Sequence, residues 1–132
     1  VPEVQDKLKE AKHIPLHLHT EFSLLDGASR LEDICKKAAE NDIPGLALTD
    51  HGTMFGAYKF YNTAKNHGVK PIIGCEVYVI NNDHTLKGKE HRCKLYHLVL
   101  LAKNDNGFKN LIKIVSESCI NGFYYKPRIS KE

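Results

Sequence analysis

The sequence predicts an α/β fold in which short buried strands alternate with amphipathic helices. Three apolar runs, GLALT (45–49), IIGCEVYVI (72–80) and LYHLVLLA (95–102), have the length and β-branched content of covered strands. Between them lie stretches with apolar residues at helical spacing, and Gly, Pro, Asn and Asp punctuate the boundaries. The whole chain, 132 residues with 42% hydrophobic and 27% charged, has the balance of an ordinary globular domain. Such alternation implies parallel strands joined by right-handed crossovers.

Residues 1–13 read as an N-terminal extension, with Val4, Leu8 and Ala11 in line for a short helix. From Ile14 to His19 the pattern IPLHLH alternates, which predicts a strand with Ile14, Leu16 and Leu18 on one face and His17 and His19 on the other. After the LLDG turn, Ser29 and Glu32 form an S-x-x-E capping box, and Leu31, Ile34, Cys35, Ala38 and Ala39 predict a helix from about Arg30 to Asn41. GLALT follows as a strand covered on both faces. A second helix is expected from Phe55 to about His67, stopped by Gly68 as a C-terminal glycine cap.

The strand Ile72–Ile80 enters after a proline, and Asn81–His91 is an exposed loop. LYHLVLLA is the fourth strand. Asp105 is placed to cap a third helix with Phe108, Leu111, Ile112, Val115 and Cys119 as its stripe and Gly122 at its end, beyond which the tail resembles a linker. A closed barrel of such units takes about 250 residues, so these elements amount to at most half of one.

A net charge of +3 is too small to argue for nucleic-acid binding from the overall field. No apolar stretch approaches the roughly 20 residues of a membrane-spanning helix, and the charged opening does not resemble a signal peptide. Cytoplasm without membrane contact is the expectation. The four cysteines, Cys35, Cys75, Cys93 and Cys119, form no C-x-x-C pair, which argues against a zinc knuckle or redox motif.

Eight histidines stand out against this background. His17 and His19 point the same way from one strand, at a separation that lets two imidazoles clamp one ion. Asp26 lies in a turn seven residues on, and Asp50-His51 directly follows GLALT, where α/β folds place their sites. Glu76 and His97 interrupt otherwise apolar strands, although a buried unpaired carboxylate costs several kcal/mol. Lys70 or Arg92 offers Glu76 an alternative partner, and a carbonyl offers His97 one. A cation accounts for both interruptions together, because it stabilises the carboxylate and accepts neutral imidazole.

Asp50 is expected to orient His51 or cap the following turn, and Cys75, beside Glu76 on a strand, faces away. Mixed imidazole and carboxylate ligands suit zinc, manganese or iron better than calcium. Several such ions together activate water and clamp a phosphate, which implies phosphoester hydrolysis with no separate protein nucleophile.

The strings HLHTEFSLLDGA (17–28), LTDHGTMFGA (48–57), IIGCEVYV (72–79), YHLVLLAKN (96–104) and NGFYYKPRI (121–129) carry a resemblance to a known family. In order and spacing they resemble the polymerase-and-histidinol-phosphatase (PHP) domain, in the form found in the α subunit of bacterial replicative DNA polymerase III. The resemblance covers nearly all of residues 14–132 and reads them as the N-terminal part of that domain. It implies a distorted (β/α)7, TIM-like barrel, here truncated, with up to three divalent ions held by His17, His19, Asp26, His51, Glu76 and His97, Glu76 bridging two of them. The family's remaining ligands, a Cys or His and a late Asp-x-His, would lie beyond KPRISKE, which reads as an interior cut.

The resemblance further implies a role in DNA replication. DNA is reached through the parent polymerase, a proofreading exonuclease or other holoenzyme subunits dock on the domain, and some members hydrolyse DNA from its 3′ end. Two other readings stand beside it: an independent phosphatase of histidinol phosphate or nucleotides, and a metal-free scaffold.

Overall fold

The structure, a computed structural model, describes residues 2–11, 13–89 and 93–131. The chain runs α1 (Pro2–Glu10), α2 (Leu31–Glu40), β1 (Gly45–Leu48), α3 (Ala57–Asn66), β2 (Lys70–Val79), β3 (Tyr96–Leu101), α4 (Asp105–Ile120), β4 (Phe123–Tyr124) and β5 (Lys126–Ile129). β2 is the axis of a mixed, open sheet. Its first half pairs with β1 in parallel and its end with β5 in parallel, while β3 runs antiparallel along its second half.

That last pairing corrects the all-parallel expectation. The described part of the connection from β2 to β3, residues 80–95, holds no α-helix of the kind that crosses over between parallel strands, and β3 runs back along β2. The register sets His97 beside Tyr78 and Val99 beside Glu76. The tail beyond α4 is also not a linker: β4 and β5 form a tight antiparallel hairpin.

Two apolar clusters hold the elements. Leu31, Cys35 and Ala38 of α2, Leu46 and Leu48 of β1, and Phe60 and Ala64 of α3 make the first. Cys75, Val77 and Val79 of β2 meet Leu111 of α4 in the second. The two-residue strand period therefore gives alternate β2 side chains to the α4 core and leaves Glu76 and Tyr78 on the other face.

Several element boundaries depart from expectation for local reasons. IPLHLH is extended but not a ladder strand: Ala47 N–H bonds to Pro15 O, yet Leu18 N–H bonds to the Thr49 hydroxyl instead of a backbone carbonyl. Ser29 does not cap α2, whose N-cap is Arg30 with no side-chain bond; the Ser29 carbonyl accepts Glu21 N–H instead. Asn104, not Asp105, caps α4, its side chain accepting Gly107 N–H at 2.9 Å. Asp105 sits in the first turn, where its charge complements the helix dipole. Gly68 follows the C-cap of α3 at φ 71°, as a terminal glycine should. Residues 2–10 are helical, with Leu8 against Gly45, while Val4's side chain and the loop's last two residues, 90 and 91, lie outside the described set.

Candidate metal centre

The extended segment that carries His17 and His19 is fastened by one threonine. Thr49, the residue after β1, accepts Leu18 N–H at 2.8 Å through its hydroxyl and donates its own N–H to Leu18 O at 3.0 Å. With Leu18 turned toward β1, its two histidine neighbours project from the opposite side.

Asp50 anchors the next turn. Its buried carboxylate accepts Thr20 N–H at 2.6 Å, the Thr20 hydroxyl at 2.8 Å and the Ser23 hydroxyl at 2.8 Å. Ser23 Oγ in turn accepts His51 N–H at 3.1 Å. Asp50 thus sets the backbone of His51 through Ser23 and positions the turn bearing Asp26, rather than orienting the imidazole by a direct bond. Gly27 closes that turn against Thr20 so tightly that an added Cβ would stand 2.1 Å from the Thr20 carbonyl oxygen. Downstream, Glu76 N–H bonds to Asp50 O and Gly52 N–H to Glu76 O, which fixes His51 beside Glu76.

All six residues singled out from the sequence meet in this region. Glu76, 4% exposed, divides its carboxylate between two pairs of histidines. Oε2 meets Nε2 of His17 in a short contact and Nε2 of His19 at 2.7 Å; Oε1 meets Nδ1 of His97 in a short contact and lies 3.6 Å from Nδ1 of His51. Asp26 Oδ2 lies 2.7 Å from His19 Nδ1 and 3.4 Å from His51 Nε2. Ligand atoms fall into three groups, His17-His19-Glu76, His19-Asp26-His51 and His51-Glu76-His97, each within 4.8 Å.

His97 joins from the start of β3 because that strand is antiparallel, so its first residues share an end of the sheet with the last residues of β1. Among the described residues Glu76 faces imidazoles rather than Lys70, and His97 faces a carboxylate rather than a carbonyl; the other alternative, Arg92, lies outside the described residues. Cys75 turns away, its thiol bonded to Asp50 O and pushed up to about 12 by burial.

The donor set fits divalent cations. Neutral imidazole carries one N–H, yet His19 turns both ring nitrogens toward carboxylate oxygens, while Nε2 of His17 and Nε2 of His19 approach to 3.1 Å. Hydrogen bonds alone satisfy this only with extra protons, whereas cations satisfy every group at once. His51 Nδ1 is buried with no hydrogen-bond partner, an orphan of the kind a ligand resolves.

Electrostatics follow the geometry. Burial works against the Glu76 carboxylate, but hydrogen bonds from His17, His19 and His97 outweigh it and hold the pKa near 2. Burial also opposes charge on His19, yet Glu76 and Asp26 raise its pKa above the ordinary 6.5. Burial and then neighbouring His19 lower that of His51.

Tyr78 is a member of the site that reading the sequence missed. Its ring stacks on His51 with 5.7 Å between centroids and meets His97 edge-on at 5.0 Å. The signal was present, since Tyr78 stands two residues from Glu76 on the same strand and so shares its face. An apolar hollow of about 510 Å³ lies elsewhere, between α3 and α4, but no imidazole, carboxylate or thiol lines it.

Fold and site together describe a histidine-rich carboxylate centre on an α/β scaffold, and comparison places it. The chain matches the PHP domain family over residues 15–132 and belongs to that family. It is 50% identical over 123 residues to the DNA polymerase III subunit alpha of Borreliella burgdorferi, covering 92% of this chain and 11% of that protein. The subunits of Chlamydia trachomatis and Helicobacter pylori are 46% and 49% identical, over 90% and 89% of this chain and 10% of each relative. The chain is thus a PHP-domain relative of replicative polymerase subunits and spans about a tenth of their length.

Proposed function

We propose that this chain forms the metal-binding part of a PHP domain in a DNA polymerase III α subunit, with a phosphoesterase site of the 3′ to 5′ exonuclease type. The observation that carries the reading is the division of Glu76 between His17 and His19 on one oxygen and His51 and His97 on the other. One carboxylate facing two imidazole pairs is suited to bridging two ions, and Asp26 with His19 and His51 provides a third group. Zinc, manganese or iron suits these ligands.

Divalent ions supply Lewis acidity toward phosphoryl oxygens and make water a better nucleophile at neutral pH. The chain's own residues bind and orient. Glu76 remains ionised, His51 remains neutral and able to ligate, and Asp50 fixes the turn that brings Asp26 into range. No side chain is required as a nucleophile.

The open sheet supports reading residues 14–132 as the first part of a distorted (β/α)7 barrel, with residues 1–13 as an extension. Tyr96, Leu98 and Leu101 of β3 are 38 to 48% exposed, an apolar surface suited to further strands and helices. In the parent polymerase the domain would work in the cytoplasm, meet DNA through the polymerase and offer a docking site to a proofreading exonuclease or other holoenzyme subunits.

Calorimetric titration with Mn²⁺ or Zn²⁺ tests the site. Glu76→Ala should weaken binding by about 100-fold or more, since even groups that only support a ligand are worth 10 to 100-fold. Unchanged affinity removes Glu76 from the site. Substrate preference tests the reaction: the metal-loaded protein should shorten single-stranded DNA from its 3′ end and leave histidinol phosphate intact, and the reverse preference rejects the polymerase reading.

A further inference from the structure

We propose that the tip of the β4–β5 hairpin, Tyr125 and Lys126, holds single-stranded nucleic acid at the mouth of the metal centre. This rests on the exonuclease-type reading of the site and deepens it by assigning the residues, outside the candidate metal ligands, that hold the strand.

The hairpin is seated on the site. Gly52, the residue after His51, has φ 60°, and a Cβ there would stand 2.5 Å from Cγ of Pro127. Lys126 Nζ lies 5.4 Å from the centroid of the Tyr78 ring, the same ring that stacks on His51 and meets His97. One aromatic ring therefore separates this ammonium from the ligand cluster. Among the described residues no carboxylate pairs with it.

Tyr125 is 78% exposed and has φ 61°, a backbone conformation that bulky residues rarely adopt. Such a residue adds nothing to a core and strains the turn, a combination found where a side chain is displayed for use. The mount beneath it is rigid. Tyr124 meets the Tyr125 ring edge-on at 4.7 Å, and the Arg128 guanidinium lies 5.3 Å from the Tyr124 ring. Arg128 itself is buried and donates to the carbonyls of Gly122, His84 and Leu86.

An exposed aromatic ring next to a cation that no described carboxylate neutralises is the pairing that single-stranded nucleic acids recognise, a base stacking on the ring and a phosphate meeting the charge. When the metal centre holds one phosphate of a strand, the next lies one nucleotide away, where the four-carbon stem of Lys126 can meet it. A phosphomonoester has no second phosphate to offer. Lys126 and Tyr125 are thus positioned to favour strands over small substrates without touching the reacting atoms.

The test is fluorescence anisotropy of a labelled oligothymidylate, with and without Mn²⁺, on the protein and on Tyr125→Ala and Lys126→Met. Each substitution should weaken oligothymidylate binding by about fivefold or more, the range seen when stacking contacts are removed. Lys126→Met should also flatten the dependence of log affinity on log salt by about 0.7, one phosphate contact's worth on a single strand. Manganese affinity by calorimetry and hydrolysis of p-nitrophenyl phosphate should be the same in all three proteins. Equal oligothymidylate affinity and salt slope across the three overturns the proposal, as does failure of the unaltered protein to bind the strand. Absence of manganese binding overturns only the metal-centre reading, because anisotropy without the ion still reports on the hairpin.

Discussion

At the scale of single residues, the histidines of the centre are tuned apart by their neighbours. His19 is held above its ordinary pKa by two carboxylates, and metal binding requires it neutral, so affinity should fall as pH falls through that raised value. The proton displaced from His19 on binding should appear in calorimetry as a buffer-dependent enthalpy below that raised value and fade above it. Without metal the sign reverses: protonated His19 stabilises the fold below its unfolded pKa, and that contribution is lost as pH rises through the folded value. Asp50 makes a different kind of contribution. Asp50→Ala leaves Thr20 and Ser23 donors buried without an acceptor, so urea denaturation should show a loss of about 3 kcal/mol.

At the scale of elements, the junction between β1, the turn after it and the hairpin decides whether ligands converge. Gly52→Ala puts a methyl group into Pro127 at a positive φ and should lower stability by about 1 to 3 kcal/mol, read by thermal melting, while weakening metal binding through displaced His51. Helices and buried strands were legible in the sequence because Leu31, Cys35 and Ala38, or Val77 and Val79, repeat at the period of their element. The residues gathered at the candidate site were legible because polar side chains interrupted those periods. What was hidden depended on partners distant in sequence. Thr49 replaces a ladder bond to the His17-His19 segment, Asn104 takes the cap from Asp105, and nothing within LYHLVLLA states that β3 runs antiparallel. Tyr125 escaped notice because its left-handed φ belongs to a turn whose two short strands carry no periodic signal.

At the scale of the whole molecule, the sheet gathers imidazoles and carboxylates from four separated segments at one end of β2, while Cys75, Val77 and Val79 on its other face seal the α4 core. Metal should therefore stabilise the entire fold: at a free concentration 100 times the dissociation constant the gain is about 2.7 kcal/mol, visible as a rise in melting temperature that Glu76→Ala abolishes. On the reading proposed above, the gathered imidazoles and carboxylates enclose divalent ions on both sides of Glu76. Anomalous diffraction from crystals grown with Mn²⁺ tests it most directly. One peak should lie between His17, His19 and Glu76 and a second between His51, Glu76 and His97. A cleft without anomalous density, its histidines still bonded to Glu76 while manganese sits elsewhere, would contradict it.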